Sequence, residues 1–389
     1  MTADRKWVEK NLGFDPISTP PPATAFADKR VAKSAAKRSA KAAPEDFQRE
    51  IIDFDSEGTE GREFFAFSTA TGLSRFTDIP WPKGLAPQTG PKPKGGNGPL
   101  PKADVLVVTW TVDEGHALSR VLTPGKDSHN DYVSYTHNFA TLSKKFRKGA
   151  PALQAKRLGA YWTTKIGKKS VVVFKSDSHM SQDGPQLPNI DVWRQIIQEV
   201  KPSLVITTGT AGGIGKLVEV GDVVVSPVVR FDCTSKFKKQ PFAMAHYTSS
   251  PAKSSKFAVA KGLFKANSGQ LPKANTRPPK IIKVAPSDLK SSVVTTDLFG
   301  FDTSDNHYKL QGLGDVSEMG DAILGLVAKD MGKSAPRWLA IRNVSDPQIK
   351  AEGTLRQQAQ VAATIYKGYG RWSSVCSAIT CWASIVAEP

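Results

Sequence analysis

The sequence predicts an α/β fold, a central and mostly parallel twisted sheet flanked by helices in three layers. Two observations carry this. Short, continuous apolar runs recur from "DVLVVTW" (104–110) to "RWLAIRNVS" (337–345), the pattern of strands buried on both faces. Longer stretches with helical spacing lie between them, and strands alternating with helices build parallel sheets.

Taken in order, the strands are 104–110, "SVVVFKS" (170–176), "SLVITTG" (203–209), "DVVVSPVVRF" (222–231) and 337–345. The helices are "VDEGHALSRVL" (112–122), "NIDVWRQIIQEV" (189–200), "DVSEMGDAILGLVAKDMG" (315–332) and two C-terminal stretches, "RQQAQVAATIYKGYG" (356–370) and "SSVCSAITCWASIVA" (373–387). Hydrophobic residues make up 39% of the 389, enough for a core of this size.

Residues 1–100 read as an N-terminal extension, with 101–389 as the main α/β domain. The extension holds a Pro-, Ala- and Lys-rich arm, then an aromatic segment with Phe64, Phe65, Phe67, Phe76 and Trp81 that should pack on the body. "GPKPKGGNGPLPK" (90–102) reads as a linker. A basic insertion spans Lys236 to Lys283, with eleven Lys or Arg and no acid, against a net charge of +17 for the chain. Such charge suits an anionic substrate, a solvated flap or nucleic acid, the last not favoured. Three cysteines make no disulfide framework, and the N-terminus has no apolar signal core, so a cytoplasmic protein is expected. No apolar stretch is long enough to span a membrane.

Ligands of open α/β sheets sit beyond the carboxyl ends of the strands. There the sequence places Asp113 and Glu114, the glycine turn after Val205–Ile206, and Asp346. Paired carboxylates in different surroundings can divide acid and base work, although an acid after a strand also commonly caps a helix. The turn spaces its glycines G-x-x-G-G-x-G from Gly209 to Gly215, which fits neither the dinucleotide fingerprint nor the P-loop. His179, in a polar loop after a strand, either reaches the same edge or is solvated. His116, His129 and His137 are expected on the surface. No Cys/His spacing resembles a metal site.

Five motifs together resemble the nucleoside phosphorylase/nucleosidase superfamily. "VITTGTAGGIGKLVEVGDVVVS" (205–226) is similar to its glycine-turn signature, "VVTWTVDEGHAL" to a strand followed by an acidic cluster, and "VTTDLFGFD" (294–302) to its base-binding strand. "VSEMGDAILGL" (316–326) resembles its ribose-binding helix and "RNVSDP" (342–347) its RxISD motif. The resemblance implies a phosphorylase-like three-layer fold and a homo-oligomer, with no metal or organic cofactor. It assigns Asp346, beside Ser345, to protonating the purine and Glu114 to activating water. Phe299 would stack on the base and Met319 lie under the ribose, with Thr210, Ala211, Gly212 and Gly213 as the turn against ribose and nucleophile.

Two departures shape the expectation. Gly320 replaces the family's sugar-binding Glu, leaving Glu318 or Asp321 to serve. Thr207 replaces a phosphate-binding Arg, and no early GDPxR loop is found, which favours water as nucleophile. The expected function is hydrolysis of the N-glycosidic bond of a purine nucleoside or nucleotide, releasing free base and (phospho)ribose. A phosphate-dependent phosphorylase is the alternative, with a nucleic-acid-binding or ligand-sensing protein on the same fold as a third reading.

Overall fold

The computed structural model describes residues 78–264, 275–298 and 300–389. Its thirteen strands are β1 Gln88–Thr89, β2 Val105–Thr109, β3 Val133–Tyr135, β4 Gly159–Ile166, β5 Lys169–Ser176, β6 Leu204–Gly213, β7 Val223–Ser226, β8 Val228–Asp232, β9 His246–Thr248, β10 Ile281–Lys283, β11 Val293–Thr296, β12 Val316–Glu318 and β13 Arg337–Asp346. Five helices have eight residues or more: α1 Val112–Leu122, α2 Pro188–Val200, α3 Phe257–Phe264, α4 Asp321–Met331 and α5 Leu355–Val386.

Alternation along a strand sends neighbouring side chains to opposite faces, and β2 shows what each face meets. Leu106 and Val108 join a core with Trp193 and Ile196 of α2 and Ile323 and Val327 of α4. Val105 and Val107 join another with Leu118 and Val121 of α1 and Ile365, Trp372 and Ile379 of α5. Covering both faces is why β2 is apolar from Val105 to Val108.

The sheet runs β1-β4-β5-β2-β6-β12-β11-β8-β9, with β13 also paired to β6. The expected parallel core is present: β5, β2, β6 and β13 are parallel neighbours, as are β8, β11 and β12. Antiparallel pairs enter where the chain turns back, as between β4 and β5 around Gly167, and where β12 meets the end of β6. Three elements differ from expectation. The run 222–231 is two strands, because Pro227 has no N–H to donate; β7 pairs with β13 and β10, whereas β8 pairs with β11 and β9. The helix expected from 315 starts at Asp321, since 316–318 is drawn into the sheet against Gly212, Gly213 and Val293–Thr295. The two C-terminal helices are one, α5, of 32 residues; no proline interrupts it, and Gly370 leaves room for the ring of Tyr366.

Residues 78–102 lie along the body, as expected for Trp81 and unlike the linker expected over 90–102. Trp81 packs on Trp382 with ring centroids 4.8 Å apart, β1 pairs with β4, and Trp162 Nε1 donates to Gly90 O. The basic arm and Phe64, Phe65, Phe67 and Phe76 lie outside the described residues. The described part of the basic insertion comprises β9, α3, β10 and their loops. No described helix is long and apolar enough to cross a membrane.

Candidate active site

Glu114 is placed by its own helix. "TVDE" (111–114) is a capping box, in which Thr111 Oγ1 accepts from the Glu114 N–H and the Glu114 carboxylate accepts from the Thr111 N–H. Capping is half of its bonding. Oε2 also accepts from Thr109 Oγ1 at 2.9 Å and Trp110 N at 3.1 Å. Oε1 reaches across the sheet to Thr210 N at 2.7 Å and Thr210 Oγ1 at 2.8 Å. Burial would push its pKa up, but Arg342 and the backbone donors of Thr111 and Thr210 hold it below the usual value, so Glu114 is an ionised carboxylate.

Arg342, in β13, is the positive centre of the site. Its Nε donates to Asp321 Oδ2 at 2.8 Å and its Nη2 to Asp321 Oδ1 at 2.5 Å, a two-pronged pair. Nη2 also reaches Glu318 Oε2 at 3.4 Å, and Nη1 lies 3.9 Å from Glu114 Oε1. The guanidinium lies over the Trp110 ring, 4.8 Å from its centroid. Arg342 lies within the "RNVSDP" motif without an expected role, and a charge inside the strand "WLAIRNVS" is its signal in the sequence. Trp110, closing its strand, likewise carries no expected role.

These groups line a cavity of about 160 Å³ at the carboxyl ends of β2, β5, β6 and β13. Asp346 stands on it at the end of β13, where Ser345 Oγ donates to its Oδ1 at 2.8 Å. Burial raises its pKa to about 6 against that hydrogen bond. Glu318 accepts from Thr295 Oγ1, the Gly320 N–H and the Asp321 N–H; burial and then the Asp321 carboxylate push its pKa up. His179 lines the cavity, and burial lowers its pKa to about 4, so its ring is neutral near pH 7. Lys175 and Asp177 form a buried ion pair in the lining, with Arg157 Nε donating to Asp177 Oδ2 at 2.7 Å.

Of the residues singled out by sequence, Glu114, His179, Thr210, Ala211, Gly212, Glu318, Met319, Ser345 and Asp346 line this one cavity. Two do not. Gly213 faces the core, where a Cβ would meet Val218 Cγ2 at 2.7 Å, and Asp321 sits behind the wall, tied to Arg342. Phe299 lies outside the described residues. His116, expected on a helix surface, is buried with Nδ1 2.5 Å from Asp127 Oδ2. No described residue of the basic insertion lines the cavity. Among the described residues no three His, Cys, Asp or Glu side chains gather as a metal would require.

Three solved structures similar to this chain are two nucleosidases, one of them putative, and a hydrolase by name. The 5′-methylthioadenosine/S-adenosylhomocysteine nucleosidase of Neisseria meningitidis, in complex with methylthio-immucillin-A, is 15% identical with a TM-score of 0.42, covering 73% of this chain and 99% of its own. Futalosine hydrolase of Helicobacter pylori is 12% identical with a TM-score of 0.42, covering 72% and 96%. A putative 5′-methylthioadenosine/S-adenosylhomocysteine nucleosidase of Borrelia burgdorferi, bound to adenine, is 14% identical with a TM-score of 0.44, covering 73% and 100%. No curated protein matches the sequence. A family model described as the phosphorylase superfamily matches residues 134–369. That match runs through the strands bearing Thr210, Glu318, Arg342 and Asp346 and takes in more than half of the chain, which belongs to the phosphorylase superfamily.

Proposed function

We propose that the protein hydrolyses the N-glycosidic bond of a purine nucleoside or nucleotide. One observation carries the reading: a carboxyl with raised pKa, Asp346, and an ionised carboxylate, Glu114, line a single buried cavity. Environments that push two carboxyl groups apart in this way assign one to acid work and the other to anionic work.

In this reading Asp346 gives its proton to N7 of the purine as the C1′–N9 bond breaks and its electron pair passes to the base. The sugar becomes oxocarbenium-like, and the Glu114 charge favours that cation. Water attacks C1′ and must lose a proton. Glu114 already accepts five hydrogen bonds, and of the two hydroxyl donors only Thr210 lines the cavity. Rotation of the Thr210 hydroxyl opens Oε1 to the water, making Thr210 a positioning residue for the base.

Water is preferred over phosphate because the described cations lining the cavity, Arg342 and Lys175, are each already paired with carboxylates. A phosphate nucleophile needs cationic clamping. We further propose that residues 101–389 are the catalytic unit, with 78–100 strapped along it.

The test is incubation of the full chain with purine nucleosides and their 5′-phosphates, with and without inorganic phosphate, followed by assay of free base. Base release without phosphate is expected. Strict phosphate dependence would make the protein a phosphorylase, and no release from any substrate would end the reading.

A further inference from the structure

Glu114 and Glu318, two of the carboxylates lining the cavity, are filled by the protein itself, and a third, Asp177, is ion-paired with Lys175 and Arg157. A carboxylate offers about four lone-pair sites. Glu114 receives five donors, from Thr109, Trp110, Thr111 and twice from Thr210. Glu318 receives the Thr295 hydroxyl, the N–H groups of Gly320 and Asp321, and Arg342. The lining hydroxyls of Thr296 and Ser317 donate to backbone carbonyls, and Ser345 to Asp346 and a carbonyl, so they keep only neutral lone pairs. Between Glu318 and α4 the chain brings only the apolar Met319, which lines the cavity, and Gly320, which has no side chain. A Cβ on Gly320 would stand 3.6 Å from the Trp110 ring and 3.7 Å from Glu318 Oε2, in ordinary contact, so no clash excludes one there.

A sugar with a 2′,3′-diol brings two hydroxyl protons that need acceptors once water is excluded. Asp346 has lone pairs to spare, yet in the reading above it belongs to the base. We propose, resting on that reading, that the cavity is a 2′-deoxyribonucleoside site: its sugar wall of Trp110 and Met319, next to side-chain-less Gly320, accepts the sugar by contact, without a charged acceptor for the 2′-hydroxyl. A site built to hydrogen-bond a hydroxyl rejects the analogue lacking it, and a site without the partner loses that discrimination. The 2′-hydroxyl also withdraws electrons from the developing oxocarbenium ion. With nothing on the wall to offset this, the deoxy sugar should react faster.

The experiment compares matched ribo- and 2′-deoxyribonucleosides of adenine, guanine and hypoxanthine on the full chain. For the base released best, kcat/KM for the deoxy sugar should equal or exceed that for the ribo sugar; a ribo preference of about tenfold or more overturns the proposal. A second arm measures binding of the same pairs by calorimetry to the Asp346→Asn protein, where turnover does not interfere. Ribo and deoxy affinities within about tenfold support the proposal, whereas a larger ribo advantage, or no binding of either sugar, overturns it. Because binding is read without catalysis, a protein that releases no base fails the hydrolysis reading while the sugar question is still decided.

Discussion

Gly209 has no side chain because the Glu114 carboxylate occupies the space where one would begin. A Cβ built on Gly209 would lie 2.3 Å from Glu114 Oε1, and the residue's φ of +151° is one that L side chains rarely adopt. The glycine turn that invites comparison with phosphate-binding loops therefore cradles one of the protein's own carboxylates.

Gly209→Ala should displace Glu114 and cost base release about a hundredfold or more, together with about 1–3 kcal/mol of stability. Gly215→Ala is the control: its φ of +78° also costs strain, but nothing lies within 4 Å of a Cβ there. Thermal melts and steady-state rates on both proteins check this. Equal activity in the two would remove Gly209 from the support of Glu114.

Thr210→Ala removes one of the five donors that fill Glu114, and with it a hydrogen bond that lowers its pKa. The acid limb of the pH–rate profile should move to higher pH, because the carboxylate is then easier to protonate. Thr210→Ser should restore the native limb. A limb unmoved in Thr210→Ala would show that Glu114 does not govern it.

Asp346→Asn should abolish base release while stabilising the fold at alkaline pH. Burial raises the Asp346 pKa from 3.8 to about 6, so the folded state binds this proton more tightly than the unfolded chain. Its stabilising effect is full below the unfolded pKa and is lost as pH rises through about 6. Near pH 8 the buried anion costs about 3 kcal/mol, at about 1.4 kcal/mol per unit, which Asn does not incur. Denaturant melts near pH 8 and pH 4 should show the gain only at the higher pH. For the same reason native kcat/KM should fall as pH rises above about 6.

Arg342→Met should be the most damaging of these changes. It leaves Asp321, Glu318 and Glu114 without their shared countercharge in a dry site, a loss of about 3–5 kcal/mol. Arg342→Lys should recover little, since one ammonium cannot reproduce the two-pronged bond to Asp321. Urea unfolding of the three proteins measures both effects; a fully stable Arg342→Met would show that the acids bind protons instead of relying on Arg342.

Local pattern alone placed the parallel strands around "DVLVVTW" and "SLVITTG", the helix after Thr111, and the convergence of Glu114, Thr210 and Asp346 at one sheet edge, because apolar periodicity and strand-end position are local properties. The hairpin strand β4 is legible too, in the aromatic and β-branched residues of "AYWTTKI" before Gly167, although it is not among the strands expected above. What no local pattern carried was pairing. Residues 316–318 look helical until they pair with β6 and β11; 222–231 looks like one strand until Pro227 sends its halves to different partners. The same holds at the site. Sequence named the acids, but only the folded chain brings Arg342 against Asp321, Glu318 and Trp110, fills Glu114 with donors and buries Asp346, because charge pairing and desolvation depend on neighbours on other elements, 21 residues away for Arg342 and Asp321 and 96 for Glu114 and Thr210.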